Sequence, residues 1–296
     1  MEAEQLEPPA DAAIDAIVSA ALAEDAPWGD VTSETLVPRD AVAEATITSR
    51  EHGVLAGLRV LERTMALVDP RVRVERLTRD GATIAPGQAV ARVAGPARPV
   101  LRGERTALNL MQRLSGIATV TARYVAEVAG TGARIVDTRK TTPGLRALEK
   151  YAVRCGGGRN HRFGLSDAVL AKDNHLGVLT ATGADLSAVL REARERLPHT
   201  MRIEVEVDRI DQIEAVLAGG VDAIMLDNFT VEQLREGVAL IAGRAVVEAS
   251  GGVTLDTVRA IAETGVDLIS VGALTHSVRA LDLGLDLVVS AAAPAP

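Results

Sequence analysis

From Arg134 onward the chain falls into a strict alternation of short apolar runs and longer amphipathic stretches. The runs are RIVDT, AVLAK, RIEVEV, AIML, AVVEAS and LISVG, near residues 134, 168, 202, 223, 245 and 268. Helical periodicity fills most of the intervals, at 185–196, 209–218, 231–242 and 255–264. Strands that alternate with helices in this way form a parallel sheet with right-handed crossovers. Six such units predict an open, incomplete (β/α) barrel rather than a doubly wound sheet. No G-x-G-x-x-G follows any run, which counts against a dinucleotide fold. A barrel of this kind carries its active site at the C-terminal ends of the strands.

The first half reads differently. Ile14, Ile17, Val18, Ala21 and Leu22 recur at helical spacing over 11–24, and Ala43, Ala45 and Ile47 alternate with Glu44, Thr46 and Thr48 as in a half-buried strand. A GVLAGL segment leads to a helix at about 59–68, and Val72, Val74 and Leu77 suggest another strand. RDGATIAPGQAVARVAG has the strand–turn–strand rhythm of a small β-sandwich, similar to biotinyl and lipoyl carrier domains. Its turn holds no lysine to carry such a group, so it reads as a structural sheet. Residues 1–110 are therefore predicted to form an α/β, sandwich-like domain, and 111–275 the barrel. Residues 276–296 form a C-terminal segment returning to the first domain, with AAAPAP as an exposed tail. A long helix opens near Pro99, with Leu108, Met111, Leu114 and Ile117 or Ala118 as its buried stripe and a break expected at Ser115-Gly116.

Composition removes several classes of function. The chain of 296 residues has a net charge of −8 and only five aromatic residues, Trp28, Tyr124, Tyr151, Phe163 and Phe229. Nucleic acid needs a broad basic face and stacking aromatics, so it is not an expected partner. No apolar run approaches the roughly 18 residues of a membrane span, and the acidic start MEAEQLEPPADAA lacks the basic opening of a signal peptide. Cys155, the one cysteine, cannot form an internal disulfide or a multi-cysteine metal site, and no partner histidine sits at a catalytic spacing. A cytoplasmic location is expected.

Against this acidic background stands one cationic stretch. All three lysines, Lys140, Lys150 and Lys172, lie between Arg134 and Lys172, where nine Lys/Arg face three Asp/Glu. Lysine is a compact charge and arginine a planar fork, so a chain that otherwise uses arginine keeps lysine for a reason. Reading only the strand ends assembles a site. Thr138, Arg139 and Lys140 end the first strand, and Lys172, Asp173 and Asn174 the second. Glu206 and Asp208, then Asp227 and Asn228, end the next two. Ser250, Gly251 and Gly252, then Ser270, Val271 and Gly272, end the last two. Arg139, Arg159, His161 and Arg162 offer forks and an imidazole to carboxylates. The two glycine turns suit a phosphate, since each ends a strand and opens a helix-like segment. Glu204, Glu206 and Asp208 alternate along one strand and should share a face. Glu206 and Asp227 could hold Mg²⁺ through its waters, or pair with Lys140 and Lys172. Glu204, deeper, reads as structural.

TRKTTPGLRALEKYAVRCGGGRNHRFGLSD, AKDNH, EVEVD, MLDNF, EASGG and VGALTHS together resemble the quinolinate phosphoribosyltransferase family, the carboxylating nicotinate-nucleotide pyrophosphorylases. GDVTSETLVP, GVLAGL and ERTALNLMQRLSGIAT fit the same family, and the resemblance spans roughly residues 12–285. It implies that quinolinate and phosphoribosyl pyrophosphate (PRPP) are converted to nicotinate mononucleotide, pyrophosphate and CO2, with Mg²⁺ as cofactor. It further implies a homodimer in which Arg105 completes the partner's site. Arg105, Thr138, Arg139, His161, Arg162 and Lys172 would then bind quinolinate. Lys140, Glu206 and Asp227 would engage PRPP and its Mg²⁺. Asn174, Ser250, Gly251, Gly252, Ser270, Val271, Gly272 and His276 would hold phosphate. The neighbouring alternatives are a nicotinate phosphoribosyltransferase without decarboxylation, or a molybdenum-associated paralogue. A non-catalytic barrel binding a phosphorylated ligand belongs to another class.

Overall fold

The computed structural model describes residues 6–290 apart from 182 and 184, so the tail AAAPAP lies outside the described residues. Five strands come first: β1 (Val42–Ser49), β2 (Gly53–Val54), β3 (Arg73–Arg76), β4 (Thr83–Ile84) and β5 (Ala89–Pro96). Six follow in the second half: β6 (Arg134–Val136), β7 (Val169–Ala171), β8 (Ile203–Val207), β9 (Ala223–Asp227), β10 (Val246–Ser250) and β11 (Leu268–Ser270). The last is β12 (Leu283–Ser290). The chain divides into two compact units. One holds residues up to 122, 141–157 and 274 onward, and the other 123–140 and 158–273.

In the first unit a four-stranded antiparallel sheet has the order β12-β1-β5-β3, while β2 pairs with β4. The RDGATIAPGQAVARVAG stretch thus feeds two different sheets instead of a hairpin of its own. Alternation in β1 buries Ala43, Ala45 and Ile47 against Leu58, Leu61, Met65 and Met111. Full burial of each larger apolar side chain contributes about 1.5–3 kcal/mol. β12 pairs with β1 along its whole length, from Val42 opposite Ser290 to Ser49 opposite Leu283. The helices Asp11–Asp25 and Leu58–Val68 are laced by arginine forks at matching spacing, Arg59 on Asp11 and Arg63 on Asp15.

The long helix runs unbroken over Ala97–Glu127, through both the expected domain division at 110 and the expected break at Ser115-Gly116. Those two small residues answer a packing demand instead. A Cβ on Gly116 would sit 2.3 Å from the Arg279 carbonyl oxygen, so only glycine admits that chain. Ser115 Oγ accepts the Ala56 N–H at 3.0 Å and donates to the Ala56 carbonyl at 3.2 Å. Lys150, on the helix Arg146–Cys155, is fully buried. Cys155 is buried on the same helix, and its thiol is pushed up to about 12 by desolvation and then by the charge of Asp80. A thiol held protonated at neutral pH is a poor nucleophile.

The second unit contains the predicted barrel strands within a residue or two. They form a parallel sheet in the order β6-β11-β10-β9-β8-β7, in which chain neighbours pair except β6 and β7. The barrel is therefore open between its first two strands. The free edge of β6 is continued by the glycine-rich loop: Arg159 N–H donates to the Ile135 carbonyl at 2.9 Å, and Asp137 N–H to the Arg159 carbonyl at 3.1 Å. The parallel arrangement puts the C-terminal ends of all six strands on one side.

Candidate active site

Those strand ends surround a cavity of about 390 Å³ lined by Thr138, Arg139, Lys140, His161, Arg162, Leu170, Lys172, Glu206, Met225, Asp227, Glu248, Ser250 and Ser270. Ten of these were singled out in the sequence for binding or catalysis, because parallel strands deliver their last residues to a common mouth. Leu170, Met225 and Glu248 were not.

Arg139 and Arg162 form the cationic wall. Arg162 directs one terminal nitrogen to the Ala168 carbonyl at 3.1 Å, yet the buried Nε–H groups of both arginines have no hydrogen-bond partner among the described residues. Burial first, and then the Arg139 charge, lower the pKa of Arg162. Two crowded guanidinium groups with buried donors to spare form a surface that an anion would relieve.

The opposite wall carries carboxylates. Lys172 Nζ donates to Glu206 Oε2, and Asn228 Nδ2 donates to Asp227 Oδ2 at 2.6 Å. Of the three acidic residues expected on one strand face, Glu204 and Glu206 lie on β8. Asp208 lies beyond its end and is exposed. Glu206 and Asp227 also line a second cavity of about 660 Å³ beside the first, together with Asp208, Arg209 and Asn228. Their hard oxygen donors at a shared mouth suit Mg²⁺, which is bound by one or two carboxylates and keeps several waters.

His161 lines the first cavity with them. Its Nδ1 accepts the Arg162 N–H at 2.7 Å, which places the ring proton on Nε2, and Nε2 lies 2.9 Å from Glu204 Oε2 and 3.6 Å from Glu248 Oε2. Both ring nitrogens thus face protein groups. The donor atoms of His161, Glu204 and Glu248 fall within 4.8 Å of one another. Within the trio the hydrogen bond joins His161 to Glu204, and Glu248 stands just outside hydrogen-bond reach. Asp137, fully buried, fixes the loop that carries His161: it accepts the His161 N–H at 2.9 Å and Asn160 Nδ2 at 2.6 Å.

Glu248 is the residue that sequence reasoning missed. It is only 1% exposed, and neither of its carboxylate oxygens has a hydrogen-bond partner among the described residues. Burial, and secondly the charge of Glu204, push its pKa up to about 8. The signal was available: Ser250 was placed facing the site, and β-strand alternation puts residue 248 on the same face.

The remaining predicted residues lie outside the first cavity. Gly251 and Gly252 have φ of +91° and +58°, and a Cβ on Gly251 would fall 2.2 Å from Asn228 Oδ1. The regular helix after this turn begins only at Val258, so no helix terminus points from Gly251 or Gly252. Val271 is buried and its N–H is donated to the Val136 carbonyl at 3.0 Å, while a short helix begins at Ala273 after Gly272. Asn174 is exposed on the helix Asp173–Ala181, and His276 Nδ1 lies 2.6 Å from Ser277 Oγ. Arg159 is exposed and contributes its backbone to the sheet edge. Arg105 is exposed on the long helix, 4.0 Å from Glu104.

Fold and site together define an open (β/α) barrel whose mouth opposes guanidinium groups to carboxylates. Two family descriptions match the chain: the quinolinate phosphoribosyl transferase N-terminal domain over residues 30–115 and the C-terminal domain over 117–286. The chain belongs to the quinolinate phosphoribosyl transferase family. It is 48% identical over 287 residues to the nicotinate-nucleotide pyrophosphorylase [carboxylating] of Mycobacterium leprae, covering 94% of this chain and 98% of that protein. With the probable nicotinate-nucleotide pyrophosphorylase [carboxylating] of Bacillus subtilis the identity is 43% over 267 residues, covering 90% and 91% of the two chains. The solved structure of the nicotinate-nucleotide pyrophosphorylase from Francisella tularensis superimposes with a TM-score of 0.88 at 35% identity, covering 97% of this chain and 100% of the other.

Proposed function

We propose that the protein transfers the phosphoribosyl group of PRPP to quinolinate and decarboxylates the product, yielding nicotinate mononucleotide, pyrophosphate and CO2 for the biosynthesis of NAD. The observation that carries this is the pair of buried, unpartnered guanidinium Nε–H groups of Arg139 and Arg162 facing one cavity with Glu206 and Asp227. Quinolinate is a dianion, and the arginine wall supplies forked donors for its carboxylates, with Thr138 and Lys172 at the rim. Lys140 and the turns at Ser250–Gly252 and Ser270–Gly272 suit the phosphates of PRPP. As pyrophosphate departs, the ribose C1′ gains oxocarbenium character, which a carboxylate at Glu206 or Asp227 stabilises electrostatically. The pyridine nitrogen attacks C1′, and the resulting positive charge on nitrogen stabilises the electron pair left on C2 when the 2-carboxylate leaves as CO2. No enzyme nucleophile is required, in keeping with a buried, protonated Cys155.

Glu206 and Asp227 would hold the Mg²⁺ that accompanies PRPP, and its role when bound is to neutralise pyrophosphate charge. A homodimer in which Arg105 reaches the partner's site follows from the family resemblance, and the exposed position of Arg105 is compatible with it. We place the protein in the cytoplasm, in keeping with its single free cysteine. Among the described residues no helix is long and apolar enough to cross a membrane.

The test is a stoichiometry. Purified protein given quinolinate, PRPP and Mg²⁺ should release CO2 and pyrophosphate one to one, and Arg139→Ala or Arg162→Ala should abolish turnover of quinolinate. Turnover of nicotinate without CO2, or full activity in both arginine variants, would overturn the assignment. For the dimer, mixing inactive Arg105→Ala chains with inactive Lys172→Ala chains should restore part of the activity, and no recovery after confirmed subunit exchange would remove the shared site.

A further inference from the structure

Replacing the 2-carboxylate of the pyridine ring by hydrogen requires a proton at C2, and that proton needs a source inside a cavity lined by charge. The candidate donors can be taken in turn. Arg139 and Arg162 do not deprotonate. The ammonium of Lys172 is committed to Glu206, and a carboxylate so bonded has no proton to give. Asp227 accepts a hydrogen bond from Asn228. The one proton on the His161 ring points to Glu204. Glu248 remains. It lines the cavity, its carboxyl is shielded from bulk water, and neither oxygen has a hydrogen-bond partner among the described residues, His161 Nε2 lying 3.6 Å away.

We propose that Glu248 is the general acid of the decarboxylation, delivering its proton to C2 as CO2 leaves; this rests on the decarboxylating reaction proposed above. The bond from C2 to the carboxyl carbon breaks, its electron pair stays on C2 next to the cationic ring nitrogen, and CO2 departs. The Glu248 O–H bond breaks and the C2–H bond forms. The Glu248 carboxylate left behind takes a proton from water once the product leaves.

The surroundings suit this work. Glu204 and His161 are the titratable groups that face Glu248, one raising and the other lowering its pKa, with burial the largest cause of the rise. An acid is most effective when its pKa lies near the working pH, because it is then both protonated and willing to release its proton. Prompt protonation also has a purpose. A carbanion left unprotonated can recapture the CO2 it has just lost, and trapping C2 as C–H prevents that return.

The experiment separates the two chemical steps. In single-turnover rapid-quench assays, pyrophosphate and CO2 are measured independently for wild type, Glu248→Gln and Glu248→Asp. Wild type should release both in step in H2O, and any lag of CO2 behind pyrophosphate should lengthen in D2O while pyrophosphate release is unchanged. Glu248→Gln should release pyrophosphate within about threefold of wild type while CO2 release slows at least tenfold and the carboxylated mononucleotide accumulates. Glu248→Asp should recover part of the CO2 rate, and it carries the test if the glutamine variant does not fold. Two results overturn the proposal: CO2 and pyrophosphate in step at the wild-type rate, or both slowed together, which would make Glu248 a positioning group for His161 and Glu204. If wild type yields neither product, the reaction itself has been misassigned and the role of Glu248 falls with it.

Discussion

Burying Glu248 should leave a mark on stability that can be measured without any substrate. Its pKa rises from 4.5 to about 8 in the folded protein. A carboxyl raised in this direction favours the folded state fully below its unfolded value. That advantage is lost as the pH climbs from about 4.5 through 8. Between pH 5 and pH 8 the span is about three units at roughly 1.4 kcal/mol each, so the differential is on the order of 4 kcal/mol. No solvent-screening discount applies to a side chain that is 1% exposed. Glu248→Gln removes the titration while keeping the shape. Denaturant midpoints followed by far-UV circular dichroism at pH 5, 6.5 and 8 would read the difference. The variant should gain on wild type steadily as the pH rises, whatever the fixed cost of seating the amide. Parallel pH dependence in the two proteins would refute the claim that this carboxyl is forced to stay neutral.

Asp137→Ala removes the acceptor of the His161 and Asn160 hydrogen bonds, each worth about 1.5–3 kcal/mol when the acceptor is charged. It should lower kcat/KM by at least tenfold, and loss of order in the 156–162 loop should be visible as faster amide hydrogen exchange. Gly251→Ala must place a Cβ where Asn228 sits and hold alanine at φ +91°, a conformation that costs roughly 1–2 kcal/mol before any clash. Its expected signature is a higher KM for PRPP with that for quinolinate little changed. Cys155, with a thiol pushed to about 12, should resist Ellman's reagent in the native protein and react at once in denaturant. Gly116→Ala should lower the melting temperature, because its Cβ would meet the Arg279 carbonyl oxygen at 2.3 Å.

Much of this protein is legible in its sequence, and the reason is local. Strand and helix periodicities announced the six barrel strands and their crossovers, and a parallel barrel then has one end at which Arg139, Lys172, Glu206, Asp227, Ser250 and Ser270 can meet. Long, specific motifs also carried the family resemblance. What the sequence did not determine depends on distance in space. Ser115-Gly116 looks like a helix break until Ala56 and the Arg279 backbone are seen pressed against it. His161 shows no sign in the sequence of the Glu204 and Arg162 contacts on its two nitrogens. Glu248, one apolar-strand residue among many, becomes an acid only because β10 buries it beside a second carboxylate. Periodicity tells which face a side chain joins. Only the tertiary structure decides what waits there, because desolvation and pairing are set largely by neighbours distant in the sequence, as Glu204 is from His161.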